Sequence, residues 1–181
     1  MRNIMEIDID GNKEKIIELL KSTKREGIDA LIRAKDDSDF FIAPASSKYH
    51  LAEPGGLAQH SLLVLNGLDK LNNCFGLQIP DESIKIMALE HDDCKIGLYT
   101  WSATQQRYIR IDNMPLGHGE KSVIWIQQYI KLTDLEKVAI RWHMTAYEPG
   151  WDRDGFRVQN LFPQAMALYF ADHIATVFLE K

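Results

Sequence analysis

Histidines and aspartates that could bind a metal are spread along this chain. The candidate ligands are His60, His91, Asp92, His118, His143 and Asp172. Imidazole and carboxylate groups together suit divalent cations such as Mn, Fe, Co or Ni. The two cysteines form no CxxC pair, which argues against a structural zinc. The residue types therefore predict a mixed site for one or two ions, with Mg and Zn also open as identities.

Three of these side chains fall where helical periodicity would ask for an apolar residue. Apolar residues that recur at three- and four-residue spacing mark one helix face, formed by Leu57, Val64, Leu65, Leu68 and Leu71. His60 lies on that face. A helix that begins near Pro80 carries His91 on its apolar side, and a terminal helix from near Pro163 carries Asp172. A single histidine on an apolar helix face is usually a core residue. A buried carboxylate, in contrast, must be paired with a charge, hydrogen-bonded or bound to a metal. The occurrence of all three on apolar helix faces favours a metal-binding site.

The other elements predict a mostly helical chain. Further helices are predicted over 13–22, 27–33 and 119–131. Thr133 to Glu136 (TDLE) reads as a capping box that begins the helix carrying His143. Residues 98–112 have β-rich ends around a polar middle, which favours a hairpin. We therefore expect an all-α bundle with a small β-hairpin insertion.

Length and composition fit one compact domain. The chain has 181 residues and 45% hydrophobic content, enough to bury a core without disulfides. We expect one domain over 1–181, in which 1–50 forms N-terminal helices and a loop and 51–181 forms a metal-binding helical core. The net charge of -5 lacks the basic footprint of a duplex-binding protein. Without a signal peptide or a membrane-length apolar run, a cytoplasmic protein is expected.

The order of the candidate ligands resembles that of the HD-domain superfamily of metal-dependent phosphohydrolases. The family pattern is a His, then a His-Asp doublet, then a distal Asp. The first His resembles His60 in GGLAQHSLLV, the doublet resembles His91 and Asp92 in ALEHDDCKIG, and the last resembles Asp172 in YFADHIAT. The resemblance implies a helical HD-domain bundle in which these four residues hold one ion.

Two further segments resemble those that let some family members hold a second ion. They are PLGHGEKS, which contains His118, and RWHM, which contains His143. The resemblance implies that these histidines share Asp92 as a bridge to the second ion. Small phage and bacterial HD proteins are similar in these stretches and in FFIAPASSKYH.

The resemblance implies hydrolysis of a phosphate ester or anhydride of a nucleotide or similar metabolite by a metal-activated water. Asp92 and Lys95 are the expected catalytic residues. Lys95 lies four residues beyond His91 and faces the same side if the helix continues, where it could meet a phosphate. Further candidate substrate contacts are Lys48, Glu120, Lys121 and Arg141.

Several residues depart from the family pattern or fit no ligand position. Asp93 stands where the family usually has an apolar residue, and Cys94 where it usually has a small one. The first turn after the doublet is therefore expected to be wetter or differently shaped. His50 and His173 fit no ligand position.

The sequence leaves the substrate open. Deoxynucleoside triphosphates or monophosphates, cyclic nucleotides and the ends of single-stranded RNA or DNA all suit the chemistry, the last two through phosphodiesterase activity. The short acidic chain lacks a basic groove for a polymer, so a mononucleotide is favoured. A non-catalytic, nucleotide-binding HD-like module is the opposing hypothesis, although every expected ligand position is filled. A homo-oligomer, with the hairpin as an interface, is also compatible with the resemblance.

Overall fold

Helices and one small hairpin make up the part of the chain that the computed structural model describes, residues 6–111 and 114–180. The elements in chain order are α1 (Ile9–Ser22), α2 (Ile28–Asp36), α3 (Gly56–Phe75), α4 (Asp81–Glu90), β1 (Tyr99–Ser102), β2 (Arg107–Arg110), α5 (His118–Ile126), α6 (Asp134–Trp142), α7 (Trp151–Leu161) and α8 (Ala165–Ile174). The predicted helical bundle with a β-hairpin is confirmed. Within these residues, no helix has both the length and the apolar content needed to cross a membrane.

The hairpin is antiparallel, with Tyr99 opposite Arg110 and Ser102 opposite Arg107. It lies inside the predicted span 98–112, whose last residue falls outside the described part of the chain. The hairpin separates α4 from α5, so it stands between the doublet and the second pair of candidate histidines.

Helix α3 packs against α1, α4 and α8. Its residues Leu57, Val64 and Leu68 are fully buried, as the apolar spacing predicts. Gly67 lies against Ala171 of α8, and a Cβ at Gly67 would be 3.4 Å from the Ala171 Cβ. The missing side chain lets the two helices approach closely. This approach brings the helices of His60 and Asp172 together.

The capping box of α6 is confirmed and also connects that helix to its neighbours. The Thr133 hydroxyl accepts the Glu136 N–H at 3.2 Å, and the Glu136 carboxylate accepts the Thr133 N–H at 2.8 Å. Glu136 also accepts hydrogen bonds from Arg25 and from Ser83 of α4, each at 2.8 Å. The start of α6 is thereby held against α4. At the far ends of the two helices, the rings of His91 and His143 lie 4.9 Å apart between their centres.

Some element boundaries differ from those the sequence predicts. Helix α5 ends at Ile126 instead of Lys131, and α8 opens into a π-helical turn over Ala175–Leu179. The sequence does not predict helix α7, because its segment has few apolar residues and buries only Gly155 and Val158. An exposed helix of this kind has too weak a periodic pattern to be recognised.

A buried lysine accounts for the acidic residue after the doublet. Lys35 is 0% exposed, and its Nζ lies 2.5 Å from Asp93 Oδ1, 3.3 Å from Glu90 Oε2 and 3.3 Å from the centre of the Phe40 ring. Burial, followed by the charge of Glu90, raises the pKa of Asp93 well above its usual range. Of the two expectations for this turn, wetter or differently shaped, the first is wrong at Asp93, because its side chain is buried in the core beside Lys35 and Glu90.

We expect Lys35→Met to destabilise the protein by about 3–5 kcal/mol, because removing one partner leaves buried carboxylates without a cation. The free energy of unfolding in urea measures this loss. Lys15→Met on the exposed face of α1 is the matched control and should change stability by less than about 0.5 kcal/mol. Equal effects of the two substitutions would contradict the role of Lys35.

Candidate metal centre

Two of the predicted ligands, His60 and His91, lie at one oxygen of Asp92, and Asp172 lies next to His60. His60 Nε2 lies 3.4 Å from Asp92 Oδ2 and 3.3 Å from Asp172 Oδ1. His91 Nε2 lies 3.3 Å from His60 Nε2 and 3.4 Å from Asp92 Oδ2. Two ligand atoms bound at about 2.1 Å to a tetrahedral ion are about 3.4 Å apart. The separations therefore fit a divalent ion.

His118 contacts the second oxygen of Asp92, and His143 lies near that oxygen and also close to His91 and Asp172. His118 Nε2 lies 2.7 Å from Asp92 Oδ1, and His143 Nε2 lies 3.6 Å from the same oxygen. His143 is buried, and its Nε2 has no hydrogen-bond partner among the described residues. A buried nitrogen without a hydrogen-bond partner is costly in free energy. This supports a role for His143 Nε2 in binding an ion.

Cys94 lies beside this second group. Its Sγ is 3.0 Å from His118 Nδ1 and 3.6 Å from His118 Nε2. Burial, followed by the charge of Asp92, raises the pKa of the Cys94 thiol, so the thiol is neutral. Asp92, Cys94 and His118 nevertheless lie close enough together to hold an ion, as do His60, His91 and Asp92.

Two of the histidines are oriented by the helices that they end. His91 ends α4 and His143 ends α6, where the last backbone carbonyls have no helical partner. His91 Nδ1 donates to the Ala88 carbonyl at 2.9 Å, and His143 Nδ1 donates to the Ile140 carbonyl at 2.7 Å. Since Nδ1 carries a proton in this arrangement, Nε2 is the ring atom that faces Asp92 and is left for an ion.

The electrostatics of the centre are dominated by buried charge. Burial would raise the pKa of Asp92, but Lys95, at 2.6 Å, and the surrounding histidines hold it well below its usual range. Burial would lower the pKa of His60, but hydrogen bonds to Asp172 and Glu180 raise it to about 9. His60 therefore binds a proton at neutral pH when no ion replaces it.

The centre opens into a cleft of about 260 Å³. Its lining includes Ser46, Lys95, Tyr99, Tyr147, Tyr169 and Thr176 together with Asp92. Among the described residues that line it, Lys95 is the only lysine or arginine. The cleft thus combines the carboxylate and imidazole cluster with one ammonium group and several tyrosine rings.

The other predicted substrate contacts lie elsewhere. Lys48, Glu120, Lys121 and Arg141 are not among the described residues that line this cleft. Lys48 is exposed, whereas Arg141 pairs with Glu120 at 2.8 Å and with Glu148 at 2.9 Å. Contact of these four with substrate stays a prediction.

Two residues beside His60 are not recognisable as part of the site from the sequence alone. The Glu180 carboxylate lies 2.5 Å from His60 Nδ1 and 2.5 Å from His50 Nδ1. His50 lies in a loop, and Glu180 follows the π-helical turn, so no helical periodicity relates either residue to the cluster. His50 fits no ligand position of the family pattern, and in the structure it contacts the carboxylate that also contacts His60.

No protein-family model, curated protein or solved structure matches the chain. The likeness to HD proteins therefore rests on the residues and their geometry. A helical fold with a cluster of histidines and aspartates able to bind a metal is compatible with an HD-type site.

We expect the affinity for Mn²⁺ or Co²⁺ to rise with pH up to about 9, the pKa of His60. Below that pH an ion must displace the His60 proton, and above it the nitrogen is already free, so affinity should rise by about tenfold per pH unit and then level off. Competition with a chromophoric chelator measures this. Asp69→Asn, on the exposed side of α3, should keep the same slope, and a flat profile between pH 6.5 and 9 would contradict the expectation.

Proposed function

We propose that this chain is an HD-type, metal-dependent phosphohydrolase that cleaves a phosphate ester or anhydride of a nucleotide or similar small metabolite. The observation that carries the proposal is the buried Asp92 carboxylate, whose two oxygens face two different sets of histidines. This donor set suits one or two ions of Mn, Fe, Co or Ni better than a structural zinc.

When bound, a divalent cation supplies a water of lowered pKa and neutralises charge on the phosphoryl oxygens. The protein contributes a fixed and partly desolvated set of donors. His91 and His143 are held by their Nδ1 hydrogen bonds, so their Nε2 atoms need little reorganisation. Asp92 and Asp172 provide the negative charge that holds a cation in the protein interior.

Lys95 is the proposed contact for a phosphate oxygen. Burial would lower its pKa, but Asp92 raises it above its ordinary value, so the side chain is charged at neutral pH. Its side chain is 10% exposed, and it lines the cleft next to Asp92. A charged donor in such a poorly solvated position interacts strongly with an anion.

The charge of the cleft favours a substrate with one phosphate group. Lys95 is the only lysine or arginine among the described lining residues, whereas a triphosphate chain usually meets several cations or a phosphate-binding loop. The rings of Tyr99, Tyr147 and Tyr169 offer apolar faces to a nucleobase or similar group. A nucleoside monophosphate is therefore the proposed substrate class, ahead of triphosphates and polymer ends.

We expect Asp92→Ala to lower kcat/KM by about 10³-fold or more, because metal-assisted charge stabilisation is worth several kcal/mol. Phosphate release from a panel of nucleotides, with Mn²⁺ or Co²⁺ added, measures this loss. Asp69→Asn on the exposed side of α3 is the matched control and should leave the rate unchanged. Full activity in Asp92→Ala would exclude the proposed mechanism. Metal binding without turnover of any substrate would favour a binding module instead.

We expect Lys95→Met to lower kcat/KM by about 10–100-fold, because a hydrogen bond to a charged group contributes about 1.5–3 kcal/mol. Steady-state kinetics on the best substrate of the panel measure this change. Lys70→Met, an exposed lysine of α3, controls for the general loss of a positive charge. Similar losses in both variants would contradict a specific contact between Lys95 and phosphate.

A further inference from the structure

The carboxylate of Glu180 joins two histidines at the edge of the metal centre. Its side chain is 0% exposed, and its two oxygens lie 2.5 Å from His60 Nδ1 and 2.5 Å from His50 Nδ1. Both imidazoles therefore have a carboxylate oxygen at hydrogen-bond distance. The buried contact connects the loop around His50 to the metal-facing residue of α3.

The His60 Nδ1–H needs a hydrogen-bond acceptor from elsewhere, because no acceptor is free near it within α3. His91 and His143 stand at helix ends and donate to the carbonyl three residues earlier. His60 stands inside α3, where backbone carbonyls already accept helical N–H groups. The carbonyl three residues before it, that of Leu57, also accepts the Ser61 hydroxyl at 3.0 Å. The acceptor for His60 Nδ1 must therefore come from another element.

Helix α8 supplies that acceptor through its altered end. In the π-helical turn Ala175–Leu179 the backbone widens, and the Glu180 N–H donates to the Ala175 carbonyl five residues earlier, at 3.1 Å. The same helix carries Asp172, which lies 3.3 Å from the other nitrogen of His60. One helix and its last turn thus contact both edges of the His60 ring.

A third metal ion between His50, His60 and Glu180 fits these distances less well. Ligands of one ion are about 3.0–3.4 Å apart when each lies about 2.1 Å from it. The oxygen-to-nitrogen separations of 2.5 Å are those of short hydrogen bonds to a charged group. None of the three is among the described buried side chains that lack a hydrogen-bond partner, so nothing in this cluster requires an ion.

We propose that Glu180 is a positioning residue for metal binding, which holds the His60 ring by its Nδ1–H so that Nε2 stays directed at Asp92 and Asp172. A carboxylate in this position also makes the imidazole a stronger ligand. The proposal rests on metal binding by the histidine and aspartate cluster, which is part of the proposed function, and does not depend on hydrolysis. Glu180 itself contacts neither the ion nor the substrate.

The test compares Co²⁺ affinity and the visible Co²⁺ spectrum in the full chain and its variants. Glu180→Gln keeps the shape of the side chain and removes its charge, and Glu180→Ala removes the hydrogen bond as well. We expect about 10–100-fold weaker Co²⁺ binding and an altered spectrum, with unchanged far-ultraviolet circular dichroism. Glu14→Gln, an exposed glutamate of α1, is the matched control and should bind Co²⁺ like the unaltered chain.

A second variant separates orientation of His60 from attachment of the terminal segment. His50→Ala leaves the Glu180 carboxylate beside His60, so its loss of Co²⁺ affinity should be clearly smaller than that of Glu180→Ala. Equal losses in the two variants would overturn the assignment to His60. If Glu180→Ala fails to fold, the Glu180→Gln variant decides.

The outcomes distinguish this inference from the proposed function. Unchanged Co²⁺ affinity in Glu180→Gln, with phosphate release intact in the unaltered chain, would overturn the role of Glu180 and leave the function standing. Weakened affinity in Glu180→Gln, with no phosphate release by the unaltered chain, would support Glu180 and overturn the function. Failure of the unaltered chain to bind Co²⁺ would overturn both.

Discussion

Burial of the Asp92 carboxylate is the constraint on which the rest of the centre depends. An ionised carboxylate in the interior is expensive unless charges and hydrogen bonds surround it. Here Lys95 and four imidazoles lie around its two oxygens. To bring them there, α4 and α6 must end at the same place and α5 must begin there. The packing of the bundle is thus arranged around one negative charge.

The features that the sequence predicts correctly are those encoded over one or two helical turns. The apolar spacing around Val64 and Leu68 marks the buried face of α3, on which His60 lies. The TDLE segment begins α6 because Thr133 and Glu136 cap each other. In both cases residues three or four positions apart interact directly, so a local pattern is enough.

The features that the sequence does not predict depend on contacts between distant segments. Glu180 reaches His50 across 130 positions and His60 across 120. Lys35 meets Asp93 across 58 positions. A lysine on a short helix and an acidic residue after the doublet each suggest solvent contact when considered alone. Only the packed structure shows that the two side chains contact each other inside the core.

The placement of two histidines at helix ends couples the centre to local helix opening. In α4 and α6 the last turn contains both the carbonyl that orients the imidazole and the imidazole itself. Helix ends open more readily than helix centres. Each opening of that turn would break its backbone hydrogen bonds and also release the imidazole Nε2 from its position. Occupancy of the centre by an ion and the protection of these backbone amides from exchange should therefore change together. If the centre holds an ion, the opening of these two turns would limit how long that ion is retained.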